Sequence, residues 1–229
     1  MTNTDVQSIA KATMLHAIEI IRPGMRLSEL RCILEDKMLD LGADSFWYWG
    51  IGAFIFSGED TVISVSGPQY VTADKVIQDD DIITIDLSPQ FNNIWGDYSR
   101  TIIIEDGKVV CNIKDIKNSE WRSGLLMEEQ LHRECISFVT PYTTFEELYL
   151  HINKYISEKG YANLDFLGNL GHSIVKEKKD RIYIEKGNKY RLGDVNYFTF
   201  EPHISRPNSI FGYKMENIYY FDKDVLKEL

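Results

Sequence analysis

Two aspartates, Asp86 and Asp97, are separated by ten residues and lie between two β-branched runs, Ile82-Ile83-Thr84-Ile85 and Thr101-Ile102-Ile103-Ile104. The segment between them is rich in turn formers, among them Pro89, Asn92, Asn93 and Gly96. That pattern predicts two adjacent strands joined by a loop, with one carboxylate at the inner end of each. A carboxylate beside an apolar strand is costly to bury alone. Two that face each other repel unless a cation lies between them.

Three later residues have the chemistry to complete such a site. His172 is flanked by Gly168 and Gly171, which let the backbone approach closely. Glu201 follows Phe198-Thr199-Phe200 and precedes Pro202, and Glu216 opens an aromatic strand ending in Tyr219-Tyr220-Phe221. Four carboxylates and one imidazole suit two divalent ions (manganese, iron(II), cobalt or zinc) bridged by carboxylates, better than a structural four-ligand zinc site. Two such ions share a hydroxide at neutral pH, and that hydroxide is a nucleophile for hydrolysis.

The elements that must position these groups follow from periodicity. Residues 5–22 carry one apolar face and end at Pro23-Gly24. A second helix is expected from a Ser28 N-cap to Leu41, with Gly42 as its stop. Trp47, Trp49, Phe54 and Phe56 alternate as in strand and loop, with the two tryptophans expected in the core, and residues 61–65 read as a strand. Asp79-Asp80-Asp81 reads as a solvated turn, and Glu105-Asp106-Gly107-Lys108 as a tight one. Residues 119–139 form a helix ended by Pro141, and Thr144 with Glu147 forms a capping box for another that stops at Gly160.

The helical punctuation occurs twice. At an offset of 118, Pro23, Leu30 and Gly42 align with Pro141, Leu148 and Gly160, and the stripe Leu27, Leu30, Leu34, Met38 aligns with Phe145, Leu148, Ile152, Ile156. At an offset of 115, the strand ending in Asp86 aligns with the strand ending in Glu201. A period this long describes a duplicated half-domain rather than a solenoid. The expectation is a single domain over 1–229, with halves at about 5–110 and 115–222, whose apposition brings Asp86 and Glu201 together.

The 229 residues are 44% hydrophobic and 26% charged, with a net charge of −10. That balance suits a globular core and disfavours non-specific nucleic-acid binding or docking on an anionic membrane. Three cysteines at 32, 111 and 135 show no pairing pattern, which points to a reducing compartment. With no signal-peptide pattern at the N-terminus and no long apolar run, the expected location is cytoplasmic.

Asp86, ten residues, Asp97-x-x-Arg100-Thr101, Gly171-His172-Ser173, Phe200-Glu201-Pro202 and Glu216-Asn217 occur in an order that resembles the pita-bread metallopeptidases, the superfamily of methionine aminopeptidases, Xaa-Pro aminopeptidases and prolidases. The resemblance runs from the first helix to Tyr220 and implies an α+β pita-bread (creatinase/aminopeptidase) fold: pseudo-twofold helix-helix-strand halves around a curved antiparallel sheet. It implies a hydrolase with two divalent metal ions (manganese, cobalt, iron or zinc) on Asp86, Asp97, His172, Glu201 and Glu216, with Glu201 also the general base. Its expected substrate is a peptide or small amide, and its oligomeric state a monomer or a homodimer. Gly67-Pro68-Gln69-Tyr70 and the aromatic segment near residue 47 look more like the Xaa-Pro branch, in the form of the catalytic domain alone.

The likeness departs from the family in the substrate shell. Gln69 stands where the family has a histidine that contacts substrate, and glutamine cannot shuttle a proton. The region of a second family histidine is Lys176-Glu177-Lys178-Lys179-Asp180-Arg181. His203 is the expected catalytic substitute and, with Gln69 and Arg181, an expected substrate contact. Lys176, Lys178 and Lys179 read as a surface loop that would favour an acidic substrate if it rimmed the pocket. Three readings follow: an aminopeptidase of Xaa-Pro type, a catalytically weakened domain that binds a peptide or protein, and a metal-dependent enzyme acting on a non-peptide substrate.

Overall fold

A computed structural model describes all 229 residues. In chain order the elements are α1 (Asn3–Ile20), α2 (Leu27–Asp40), β1 (Ser45–Phe46), β2 (Ala53–Ser57), β3 (Asp81–Leu87), β4 (Pro89–Phe91), β5 (Ile94–Trp95), β6 (Tyr98–Glu105), β7 (Lys108–Val109), α3 (Ser119–Phe138), α4 (Phe145–Glu158), β8 (Ala162–Asn163), β9 (Phe198–Phe200), β10 (His203–Ser205), β11 (Tyr213–Lys214), β12 (Asn217–Asp222) and β13 (Val225–Glu228). Every strand pair is antiparallel, in sheets ordered β2-β3-β6-β7, β1-β4-β5, β13-β12-β9 and β11-β10-β8.

The central pair, β3 and β6, explains why its sequence is apolar on both faces. Ile82 and Ile103 are register partners and pack with the α3 and α4 residues. Ile83, Ile85, Ile102 and Ile104 pack with α1 and α2. Because side chains alternate, Thr84 and Asp86 share the face of Ile82, and Ser99 and Thr101 share the face of Ile103. Both carboxylate-bearing strand ends are thereby aimed at the second half of the chain.

The repeat has a structural counterpart. Helices α2 and α4 have the same length, and their stripes Leu27, Leu30, Leu34, Met38 and Phe145, Leu148, Ile152, Ile156 are almost wholly buried. Each such side chain contributes about 1.5–3 kcal/mol. The anchoring hydrogen bonds also repeat. Leu27 N donates to Lys75 O and Phe145 N to Tyr190 O, while Ile77 N donates to Met25 O and Leu192 N to Thr143 O. Gly42 and Gly160 both take positive φ, 107° and 77°, which ends each helix at little steric cost.

Several local expectations are corrected. Helix α1 starts at Asn3 because Thr2 and Asp5 form a capping box. Arg26, not Ser28, is the cap of α2, since the entry to this helix is fixed by backbone pairing of Arg26 with Val76, and Ser28 lies inside the first turn. Residues 61–65 are not a strand: Gly58–Val62 is a 3-10 turn in which Thr61 Oγ1 donates to Gly58 O at 2.6 Å. Asp81 is buried at the start of β3, accepting from Gln78 N and Ile82 N, so only Asp79 and Asp80 are solvated. Trp49 is 66% exposed, lying over Gly67 with its own φ at 60°, while Trp47 is buried. The loop between the two aspartates contains the β4–β5 hairpin, turned by Asn92 and Asn93 at positive φ. The Thr144–Glu147 capping box and the Asp106-Gly107 turn form as read from sequence. All three cysteines are free, and no helix is long and apolar enough to cross a membrane.

Candidate metal centre

Asp86, Asp97, His172, Glu201 and Glu216 converge where the two halves meet. Ligand atoms of Asp86, Asp97 and Glu216 all lie within 4.8 Å of one another. His172 Nε2 lies 3.5 Å from Asp97 Oδ2 and 4.0 Å from Glu201 Oε1. All but Glu216 line a cleft of about 130 Å³, and Glu216 is fully buried beneath it.

Each side chain is fixed by its own surroundings. Asp97 is clamped at its backbone by Gln7, which donates from Nε2 to Asp97 O at 2.8 Å and accepts from Asp97 N at 2.9 Å. Trp47, stacked on Trp95 at 4.7 Å, donates from Nε1 to Gly96 O and meets the His172 ring edge-on at 5.4 Å. His172 is placed by Gly171, whose φ of 139° brings it against the Thr199 carbonyl. The His172 N–H then donates to Thr199 Oγ1, and Nδ1 donates to the Ser173 carbonyl. A carbonyl can only accept, so the proton is on Nδ1 and the Nε2 lone pair faces the carboxylates. Glu216 N donates to Ser99 O, and Arg100 ties both Glu216 O (2.8 Å) and Asn217 Oδ1 (2.7 Å) to β6.

The electrostatics of the cluster fit a bound cation. Neither side-chain oxygen of Glu216 has a hydrogen-bond partner. Burial, with Asp97, Glu201 and Asp86 nearby, holds the Glu216 carboxyl well above the usual range. Burial and the Asp86 and Glu201 charges do the same to Asp97, while burial raises Glu201 against the opposing pull of Lys214. Burial lowers His172 to about 3, so its imidazole is neutral at pH 7. A neutral nitrogen lone pair facing several crowded acid oxygens, two of them orphaned, fits a divalent cation.

The remaining sequence candidates divide. His203 lines the cleft, donates from Nε2 to Thr61 O at 2.7 Å, and is lowered by burial to about 4. Arg181 lines it too, its guanidinium 5.1 Å from the Trp47 ring and 5.5 Å from Tyr183. Gln69 is exposed at the end of a 3-10 turn and is not part of the cleft wall. Lys176, Lys178 and Lys179 are exposed and also outside that wall.

Sequence reasoning missed Lys214. Its ammonium lies 2.5 Å from Asp86 Oδ2, 3.3 Å from Glu201 Oε2 and 4.0 Å from Glu216 Oε2. Burial opposes its charge, but the three acids outweigh that and hold it protonated. The signal was its place two residues before Glu216, which puts both on one strand face. Gln7, a polar residue on the buried face of α1, and Asp165, whose Oδ1 accepts from Leu167 N and Asn169 N below the cleft rim, were also missed.

Residues 4–223 match metallopeptidase family M24. An uncharacterized peptidase, YqhT, of Bacillus subtilis (strain 168) is 23% identical over 206 residues, covering 90% of this chain and 53% of the relative. Among solved structures, prolidase from Pyrococcus furiosus superposes with a TM-score of 0.80 at 24% identity, covering 98% of this chain and 61% of that one. An X-Pro aminopeptidase from Thermotoga maritima gives 0.79 at 21% identity, covering 98% and 58%. These likenesses show the pita-bread fold, and this chain spans only about half to three-fifths of each relative's length.

Proposed function

The chain belongs to metallopeptidase family M24, and from that premise and the geometry of the cleft we propose that it is a metal-dependent aminopeptidase of Xaa-Pro type. The observation that carries this reading is the His172 Nε2 lone pair set against Asp97 and Glu201, beside a Glu216 whose buried oxygens have no partner. Asp86, Asp97, His172, Glu201 and Glu216 would hold two divalent ions, of which manganese, iron(II), cobalt and zinc all suit the donor set. When bound, the ions polarise the scissile carbonyl and make a water acidic enough to ionise near neutral pH.

The chain's own groups do the rest. Glu201, which lines the cleft between His172 and Lys214, takes a proton from the attacking water and returns it to the leaving nitrogen. His203 stays neutral at pH 7 and presents its Nδ1 edge as an acceptor. Arg181 faces the substrate with donors that the aromatic walls leave free. The three free cysteines support a reducing, cytoplasmic location.

One observation favours a second reading, a weakened domain that binds peptide without cutting it. Gln69 lies off the cleft wall and His203 Nε2 is committed to Thr61 O, so no imidazole is free to protonate a leaving group. Elemental analysis of protein purified without chelator, followed by a screen of Xaa-Pro and Met-Xaa peptides with each of the four metals, separates the two. Metal with cleavage supports the enzyme. Metal and peptide affinity without cleavage supports the binding domain, and no metal after reconstitution removes the dinuclear centre.

A further inference from the structure

Residues 176–191 carry seven of the chain's 25 lysines and arginines and three of its 35 acids, in a protein of net charge −10. This basic segment leads out of the cleft. Arg181 and Tyr183 line both the cleft and an adjoining open groove of about 780 Å³, whose wall includes Lys186, Lys189, Tyr190 and Arg191. Within the chain Arg181 donates only from Nε, to Lys178 O, which leaves its terminal nitrogens free over the Trp47, Tyr48 and Tyr183 rings.

Three acids reduce the groove's charge without reversing it. Glu185 and Asp194 lie in its wall, Asp194 accepting from the Arg191 backbone, and Glu146 pairs with Lys189, against the four cations Arg181, Lys186, Lys189 and Arg191. Lys186 has no acidic partner, and the Arg191 guanidinium lies 5.8 Å from the Tyr142 ring. Past Arg181 the cleft therefore opens into a groove of net positive charge flanked by an aromatic ring. Such a field favours an anionic group on the part of a ligand that leaves the cleft.

We propose that this groove is a subsite for the C-terminal side of an acidic peptide, whose carboxylates are held by Arg181, Lys186 and Arg191. The inference rests on the peptidase reading of the cleft for the direction in which the peptide lies. The carboxylates come either from acidic side chains or from the peptide's own terminus.

The test is calorimetric titration of the metal-loaded protein with Ala-Pro-Glu-Glu-Glu and Ala-Pro-Gln-Gln-Gln, the carbonyl of the first bond reduced to CH2 (a CH2–N link to the proline ring) so that binding is read without cleavage. Each peptide is used with a free and with an amidated C-terminus. The glutamate peptide should bind roughly tenfold tighter at low salt and lose most of that advantage at about 0.5 M salt. The Lys186→Glu/Arg191→Glu variant should lose the preference, while Lys114→Glu/Lys154→Glu, reversing exposed charges on other elements, should keep it.

A preference that follows only the free terminus assigns the carboxylate to the chain end and supports the subsite. Equal binding of all four peptides overturns it. Displacement of the peptide by a 12-nucleotide single-stranded DNA of greater affinity also overturns it, in favour of a nucleic-acid site. Tight binding of the glutamate peptide whose unmodified form is never cleaved leaves the groove standing and removes the hydrolase reading instead.

Discussion

Lys214 Nζ and Asp86 Oδ2 are 2.5 Å apart in the middle of the acid cluster. Lys214 arrives from β11 and Asp86 from β3, so this ion pair joins the two halves of the chain. It supplies the only side-chain cation within 4.0 Å of the cluster's carboxylates, since His172, the other nitrogen in that range, is neutral at pH 7.

Removing that ammonium leaves the acids uncompensated. Lys214→Met should destabilise the metal-free protein by about 3–5 kcal/mol, the cost of breaking a buried pair. Saturating manganese should recover most of the loss, because divalent ions neutralise the same oxygens. Urea unfolding with and without metal measures both, and an unchanged metal-free midpoint would refute the compensating role of Lys214.

Glu201→Gln keeps the shape of the side chain but cannot accept a proton at neutral pH. On a cleavable peptide kcat should fall by about 10²–10⁴-fold, the usual contribution of a positioned base. An equal fall in kcat/KM with KM unchanged and metal content retained, the latter read by elemental analysis, distinguishes lost proton transfer from a lost ligand. Full activity in this variant would move the base to another residue.

Glu128, on α3, is buried with both oxygens unpartnered, and burial holds its carboxyl well above the usual range. Glu128→Met replaces it with an apolar side chain of similar length. The variant should be more stable by about 1–3 kcal/mol at pH 7, the penalty of an unsatisfied buried polar group. At about 2–4 °C per kcal/mol for a chain of this size, the rise is readable in a thermal melt. A lower Tm would mean that Glu128 has a partner that only the working protein acquires.

His132 gives a pH dependence of opposite origin. Its Nε2 donates to Met215 O and its Nδ1 accepts from Tyr219 Oη, and burial lowers it to about 3 from the usual 6.5. A folded-state value below the unfolded one means that the unfolded chain binds the proton first. The contribution is complete above pH 6.5 and is lost as pH falls toward 3, at up to about 1.4 kcal/mol per pH unit. His132→Gln, less stable at pH 7.5, should lose less than wild type between pH 6.5 and 4 in denaturant titrations. Parallel curves for the two proteins would exclude His132 as the titrating group.

Gly171 has a φ of 139° and lies against the Thr199 carbonyl. A methyl group there meets backbone on both counts, so Gly171→Ala should cost about 2–4 kcal/mol. Because the strain falls on the residue before His172, metal content should fall as well. Normal metal content in a folded variant would show that the turn does not set the imidazole.

The helical punctuation is legible in the sequence because it is local. Pro23, Gly42, Thr144 and Gly160 act through φ preferences and capping within a few residues. The β3 and β6 runs were legible because β-branched residues between turn formers have few other uses. The Ser28 cap and the 61–65 strand differ from the structure because non-local bonds decide them: Lys75 O receives the N–H that opens α2, and Thr61, besides its local bond to Gly58, bonds to His203 and Gly212.

What the sequence by itself made legible was the helical punctuation that recurs at an offset of 118 and five side chains that the structure brings together, the first through local patterning and the second through strand ends and a motif order that resembles a family's. What only the tertiary structure decided was how their charges balance. Gln7 holds Asp97 from ninety residues away, Lys214 reaches Asp86 across the seam between the halves, and Arg181 meets Trp47 to open the cleft toward a basic groove. Those relationships depend on desolvation and on distances between chain-remote atoms, and neither composition nor spacing carries that information.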